Sequence, residues 1–222
     1  MSINNEKLSE IKKNISLLRP TSSLCIVTKK RSAEDILKLV DNNNYYFAEN
    51  RIQEAEQKYI EIRKKYNLTL DLIGPLQTNK VKKALVLFDC IQTIDRKKLV
   101  DAIYEEIQKN EKIKTKEFFI QVNIGEEDQK NGILKDDLES LYVYALKKKL
   151  NITGLMCIPP NVKNPTKYFS KMINLRDSLS AKLKLSMGMS NDYEYALKCK
   201  SDIIRIGSLI FNWDQYIFLF FL

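Results

Sequence analysis

The chain alternates short apolar runs, rich in β-branched residues, with longer segments in which apolar residues recur at helical spacing. Such runs predict strands that are buried on both faces, as in a parallel sheet. Eight runs, each followed by a helical segment, fit an α/β fold of the (β/α)8 TIM barrel type in a chain of 222 residues. An open doubly wound sheet is the alternative, but no GxGxxG motif follows the first run. The predicted strands cover residues 24–29, 45–50, 70–74, 89–94, 117–123, 152–159, 184–189 and 202–207.

The pattern shows no internal repeat or linker, so one domain over the whole chain is expected. Ser32 and Asp35 form a capping-box pattern, which predicts that a helix begins just after the first strand. Asp95 is placed to cap the helix after the fourth strand. The predicted parts of the domain are an N-terminal helix at about 5–18, the barrel at about 22–211 and an atypical apolar tail at 212–222.

The composition excludes several kinds of chemistry. Histidine is absent, which rules out His-dependent triads and HExxH zinc sites, and no metal site is expected. The four cysteines form no CxxC pair and most lie in apolar runs, so free thiols and a cytoplasmic location are expected. No signal peptide and no stretch of about 20 apolar residues is found, so no membrane partner is expected.

The net charge of +9 raises the question of a nucleic-acid partner. The positive charges come as scattered lysine pairs that fall where surface helices are predicted, and no Arg-Gly-aromatic motif accompanies them. A solvated surface is therefore the better interpretation, and no nucleic-acid partner is expected.

Polar residues close several predicted strands, where the active residues of barrels gather. Lys29 ends the first strand, where desolvation would favour a neutral amine able to form a Schiff base, although it could also extend to solvent. Ser190 is placed to cap a helix that starts at Asn191, and Gly207 with Ser208 opens a turn after the last strand. Together these features predict a phosphorylated aldehyde as the ligand.

Longer sequence motifs connect the chain with a known protein family. The chain resembles the pyridoxal 5′-phosphate (PLP) homeostasis protein family, which is related in fold to the N-terminal barrel domain of alanine racemase. The resemblance covers nearly the whole chain in order. The matching stretches are VTKK (27–30), FAEN (47–50), IGPLQTNK (73–80), TIDR (93–96), NIGEEDQKNG (123–132), GLMCIP (154–159), LSMGMSND (185–192) and RIGSLIF (205–211).

The resemblance implies a role for individual residues. Lys29 would hold PLP as a Schiff base, and Ser190 with the amides of Gly207 and Ser208 would bind the phosphate. Arg205 would face the pyridine nitrogen, and because arginine keeps its proton, the ring would be a weak electron sink. No residue is assigned to catalysis.

Two further residues match the family with an alternative left open. Asn50 matches a position near the ring, or it caps a helix beginning at Arg51. Lys130 matches a lysine at the barrel mouth that could receive or relay PLP, or it is a surface lysine. The chain also departs from the family, since Asp71 stands where many members have histidine, and the ending at 212–222 is unusual.

The resemblance implies a protein that holds PLP for vitamin B6 homeostasis and delivers it to apo PLP-dependent enzymes, as a monomer or weak dimer. A two-base racemase needs a second acid or base from another domain, and only 15 residues follow Gly207. A PLP carrier without strong catalytic activity is therefore expected. The alternative is a weak racemase-like PLP enzyme.

Overall fold

The computed structural model describes residues 3–211, which form a closed barrel of eight parallel strands in sequential order. Each strand pairs with its neighbour, and β8 pairs with β1 to close the barrel. This confirms the TIM barrel prediction, and every predicted strand is present. The strands are β1 (Ser23–Val27), β2 (Tyr46–Glu49), β3 (Thr69–Leu72), β4 (Cys90–Ile94), β5 (Glu117–Val122), β6 (Ile152–Cys157), β7 (Lys184–Ser186) and β8 (Ile203–Ile206).

Helices cover the outside of the barrel. They are α1 (Asn5–Leu18), α2 (Ala33–Asp41), α3 (Ile52–Lys65), α4 (Val81–Leu87), α5 (Lys97–Lys109), α6 (Leu138–Lys147), α7 (Thr166–Leu179) and α8 (Tyr193–Lys198). The first of these lies where the N-terminal helix is predicted, and Asn14 on it donates a hydrogen bond of 2.8 Å to the hydroxyl of Tyr193. The tail at 212–222 lies outside the described residues, and the division of the chain into parts stays a prediction.

Two apolar layers follow from the alternation of side chains along each strand. One layer lies in the barrel interior and includes Cys25, Val27, Ala48, Phe119 and Met156. The other packs the outer faces of the strands against the helices and is the larger one. Both faces of each strand are therefore buried, which explains the near-continuous apolar runs in the sequence.

Two predicted helix caps, at Ser32 and at Asp95, follow strands of the first half of the barrel, and the one at Ser32 is present. The Ser32 hydroxyl accepts a hydrogen bond from the amide of Asp35, and the Asp35 carboxylate accepts one from the amide of Ser32, so the capping box is confirmed. The prediction for Asp95 is wrong. The residue before α5 is Arg96, which has no side-chain cap, because the Asp95 carboxylate pairs with the Arg96 guanidinium instead.

The four cysteines are free, as predicted, and three of them are buried. No helix within residues 3–211 is long and apolar enough to cross a membrane. In the same range, no group of three or more cysteine, aspartate or glutamate side chains is arranged to hold a metal ion.

Candidate functional site

The carboxyl ends of the strands form one rim of the barrel, and most of the predicted site residues lie on it. Lys29 follows β1, Asn50 follows β2, Ser190 follows β7, and Gly207 follows β8. Lys29 and Asn50 continue the alternation that turns Val27 and Ala48 into the barrel interior. Since β8, β1 and β2 are adjacent in the closed sheet, the rim brings the segments carrying Lys29, Asn50 and Gly207 next to one another.

The backbone around Lys29 is held firmly. The carbonyl of Thr28 accepts hydrogen bonds from the Lys58 ammonium at 2.8 Å and from the Arg31 amide at 3.0 Å. The amide of Lys30 donates to the carboxylate of Glu54, and Lys30 has a positive φ of 60°, so the chain turns sharply directly after Lys29. The Lys29 side chain itself is exposed. Of the two alternatives for Lys29, the structure supports the one in which the side chain extends to solvent, because β1 ends at Val27 and Lys29 lies beyond it.

A buried ion pair supports this turn from behind. Glu49 is fully buried, Lys58 is nearly so, and their charged atoms lie 2.7 Å apart. Burial raises the pKa of Glu49, while hydrogen bonds from Lys58 and Thr28 oppose that rise. Sequence reasoning missed this pair. Glu54 and Lys58 stand four residues apart on α3 and form an ion pair at 2.7 Å, which is the only local signal of it.

The turns after β7 and β8 present unused backbone amides. Within the described part of the chain, the amides of Ser190, Gly207 and Ser208 donate no hydrogen bond to another protein group. A Cβ at Gly207 would lie 3.0 Å from the carbonyl oxygen of Val27, so any other residue there would crowd the end of β1. Donors of this kind suit an anion such as a phosphate.

The prediction that Ser190 caps a helix starting at Asn191 is wrong. The helix α8 begins at Tyr193, and the residue before it is Asp192. The Asp192 carboxylate accepts a hydrogen bond of 2.6 Å from the amide of Met189, which ties the turn together and leaves the Ser190 hydroxyl available. Burial raises the pKa of Asp192.

Asn50 carries a buried polar atom without a partner. Its Oδ1 has no hydrogen bond in the described structure, although it is screened from solvent. The alternative that Asn50 caps a helix beginning at Arg51 is wrong, since α3 begins at Ile52, its N-cap residue is Arg51, and Asn50 Oδ1 accepts no hydrogen bond. A Cβ at Gly74 would come within 2.0 Å of the Asn50 carbonyl oxygen, so the glycine of the IGPLQ motif fixes this part of the rim.

Lys130 lies on the other side of the rim, in the loop after β5. Its ammonium forms an ion pair with Glu127 at 2.6 Å and donates a hydrogen bond of 2.9 Å to the carbonyl of Pro159. Lys130 is half-buried and thus connects the loops that follow β5 and β6. No contact joins it to Lys29 in the described structure.

Arg205 points into the barrel below the rim and is 3% exposed. Its guanidinium donates to the Ser186 hydroxyl at 2.8 Å and to the Cys157 carbonyl at 2.8 Å. Burial lowers the pKa of Arg205, while the guanidinium still has further N–H donors for a ligand above it. An orphaned amide oxygen, unused backbone amides, an exposed lysine and a buried arginine around one rim fit a phosphorylated aromatic aldehyde such as PLP.

Two open clefts elsewhere on the surface contain none of these residues. One, of about 400 Å³, is lined by residues including Arg63, Asp89 and Lys116. It lies near the amino ends of β4 and β5, at the end of the barrel opposite to the rim. The other, of about 470 Å³, lies against α5 and α6. Within residues 3–211 the rim is the better candidate, because the turns with unused backbone amides lie there beside the segments that carry Lys29 and Asn50.

Solved structures define the class of protein. Alanine racemase from Clostridium difficile superposes with a TM-score of 0.70 at 15% identity, over 96% of this chain and 58% of the racemase, so the fold is that of an alanine racemase-like barrel. PipY from Synechococcus elongatus, in a structure without PLP, superposes with a TM-score of 0.84 at 28% identity over 93% of this chain and 99% of PipY. A structure of PipY with PLP bound superposes with a TM-score of 0.80.

Curated relatives define the family. The pyridoxal phosphate homeostasis protein of Pasteurella multocida is 34% identical over 230 residues, covering 95% of this chain and 97% of the relative. That of Aquifex aeolicus is 39% identical over 179 residues, covering 77% of each. No protein-family model matches the chain. The chain belongs to the pyridoxal phosphate homeostasis protein family, which confirms the resemblance seen in its motifs.

Proposed function

We propose that this chain binds PLP at the rim of the barrel and serves in PLP homeostasis. The observation that carries the proposal is the convergence, on one rim, of unused amides after β7 and β8 with Lys29, two residues beyond the end of β1. The relatives are named for PLP homeostasis, and the similar protein PipY has a structure with PLP bound, which supports the same ligand here.

Each rim residue has a distinct task in this proposal. Bound PLP supplies an aldehyde that the Lys29 amine can hold as a Schiff base. The Ser190 hydroxyl and the amides of Gly207 and Ser208 bind the phosphate, and the Arg205 guanidinium donates to the pyridine nitrogen. Asn50 uses its free amide oxygen toward the ligand, and Lys130 receives or relays PLP at the outer side of the rim.

We propose a carrier rather than a catalyst. Arginine does not give up its proton to the pyridine ring, so the ring stays a weak electron sink and loss of an α-proton from a bound amino acid is not promoted. The relatives are named as homeostasis proteins, and the Pasteurella protein is covered over 97% of its length, against 58% for the racemase. Apo PLP-dependent enzymes are the proposed recipients, and the cytoplasmic location stays a prediction.

Borohydride labelling tests the proposal directly. PLP added to the protein should give an absorbance band of a protein-bound imine, and reduction should fix a pyridoxyl group on Lys29, located by peptide mapping. Lys29→Arg keeps the charge but has no amine, so it should lose the label. The matched control Lys30→Arg changes the neighbouring exposed lysine and should keep the label. A label found mainly on another lysine in the wild type would refute the assignment.

Deuterium exchange separates the carrier from a weak enzyme. The α-proton of alanine should exchange in heavy water at about the rate found with free PLP, for the wild type and for Lys29→Arg alike. Exchange by the wild type several orders of magnitude faster than with free PLP would establish an enzyme and exclude the carrier role.

A further inference from the structure

A chain of hydrogen bonds crosses the barrel interior beneath the rim. It starts at Arg205 on β8, which donates to the Ser186 hydroxyl on β7 at 2.8 Å. Ser186 donates to Oε1 of Gln92 on β4 at 2.6 Å, and Gln92 Nε2 donates to Oδ2 of Asp71 on β3 at 2.6 Å. The hydroxyl of Tyr46 on β2 donates to the same oxygen at 2.6 Å. Four of these side chains are at most 3% exposed, so water does not compete for the bonds.

The direction of every bond in this chain is set by its far end. Oδ2 of Asp71 accepts when the carboxyl is ionised, and it also accepts when the proton is on Oδ1, which has no partner in the described structure. Gln92 therefore turns its NH2 group toward Asp71 and its carbonyl oxygen toward Ser186. The Ser186 proton then goes to Gln92, and the Ser186 oxygen is left to accept from Arg205. The bonds run in one direction from the Arg205 guanidinium to the Asp71 carboxyl group, and the bonds of such an oriented chain strengthen one another in a low-dielectric interior.

We infer that Asp71, Gln92 and Ser186 are positioning residues for Arg205, and that they present its guanidinium to the ring nitrogen of PLP. The inference rests on the proposed function, because it needs PLP above Arg205. The long arginine side chain has several rotamers, and its two contacts, at Ser186 and the Cys157 carbonyl, fix the plane of the guanidinium. Asp71 and Gln92 orient the Ser186 hydroxyl so that its oxygen accepts from Arg205. If this contact is lost, the guanidinium is held by the Cys157 carbonyl alone among the described contacts.

The distinguishing probe is an analogue of PLP in which a CH group replaces the ring nitrogen. It keeps the aldehyde and the phosphate but has no acceptor for the arginine. In the wild type, PLP should bind about tenfold more tightly than this analogue, as expected for a hydrogen bond to a charged donor. In Arg205→Met the two compounds should bind equally well, and Lys29 labelling by borohydride reports whether each is bound in the same place.

Variants within the chain test the inference itself. Gln92→Met keeps the shape but breaks the chain, and Ser186→Ala removes a single hydroxyl oxygen, so both should reduce the tenfold preference to less than about threefold. Asp71→Asn keeps an acceptor for Gln92 and should retain the preference. The control Cys90→Ala changes a buried interior side chain outside the chain of bonds and should leave the preference unchanged.

The outcomes separate the two claims. If Arg205→Met removes the preference while Gln92→Met and Ser186→Ala keep it in full, the positioning role is refuted and PLP binding stands. Equal binding of both compounds by the wild type, with Lys29 labelled, also refutes the positioning role. Failure of the wild type to bind either compound refutes the proposed function, and the positioning role with it.

Discussion

Replacing Asp71 by asparagine should make the stability of the protein less dependent on pH. Asp71 is 1% exposed, and burial raises its pKa from 3.8 to about 7, although hydrogen bonds from Tyr46 and Gln92 oppose the rise. Between these two values the folded protein keeps a proton on Asp71, whereas the unfolded chain does not. The free energy of unfolding therefore falls as the pH rises toward 7. Above pH 7 Asp71 is ionised in both states, and its contribution no longer changes with pH.

The size of the effect follows from the pKa values. A shift of about three units, at about 1.4 kcal/mol per unit, gives roughly 4 kcal/mol over the whole range. Between pH 5 and pH 8, about two pH units lie below the folded pKa of Asp71, so Asp71 should lower the free energy of unfolding by about 3 kcal/mol over this interval. Asparagine does not titrate, and the Asp71→Asn protein should lack this part of the loss.

Urea unfolding at pH 5 and pH 8, without added PLP, measures this difference. Burial also raises the pKa of Glu49 and Asp192, so the wild type has other sources of pH dependence, and the relevant quantity is the difference between the two proteins. A matched control is Asp192→Asn, which leaves the Asp71 contribution in place. If the free energy of unfolding falls by the same amount in the wild type and in Asp71→Asn between the two pH values, the raised pKa of Asp71 in the folded protein is refuted.

Two further predictions concern the rim. Ser190→Ala removes a hydrogen bond to a charged phosphate, which is worth roughly 1.5–3 kcal/mol, so the affinity for PLP should fall by about one to two decades. Unphosphorylated pyridoxal should bind equally well to both proteins. An unchanged affinity for PLP would show that Ser190 does not belong to the site. Lys58→Met leaves Glu49 buried without its partner, which should destabilise the protein by roughly 3 kcal/mol and slow borohydride labelling of Lys29. The double change Glu49→Gln with Lys58→Met should recover part of that stability, and no recovery would contradict the role of the pair.

The fold was predictable because its signal is local and repeated. Each strand is a short apolar run with both faces buried, and the turn glycines and the Ser32 capping box stand within a few residues of the elements that they define. The positions of Lys29, Asn50 and Gly207 on one rim then follow from the closure of a parallel barrel. The side chains that surround them could not be placed so easily.

The two wrong caps, at Ser190 and at Asp95, share one cause, which is competition between neighbouring polar groups. Ser190 and Asp192 both suit the start of α8, and the aspartate takes the Met189 amide. Asp95 suits a cap, but the adjacent Arg96 attracts its carboxylate. Sequence spacing alone does not rank such competitors, because the outcome depends on the exact path of the turn.

The interior contacts were missed because they join residues far apart in the sequence. The hydrogen bond between Ser186 and Gln92 links positions 94 residues apart, and that between Gln92 and Asp71 spans 21. Nothing in the local sequence marks either pair.

The same long-range bond has a consequence for how the chain comes together during synthesis. Gln92 and Asp71 leave the ribosome well before Ser186 and Arg205, and until β7 and β8 arrive the carbonyl of Gln92 has no partner within the barrel. Burying an amide without a partner costs roughly 1–3 kcal/mol, so burial of Gln92 before β7 is in place carries this cost. Burial of Gln92 therefore becomes less costly once β7 is in place, because the Ser186 hydroxyl then donates to its carbonyl oxygen.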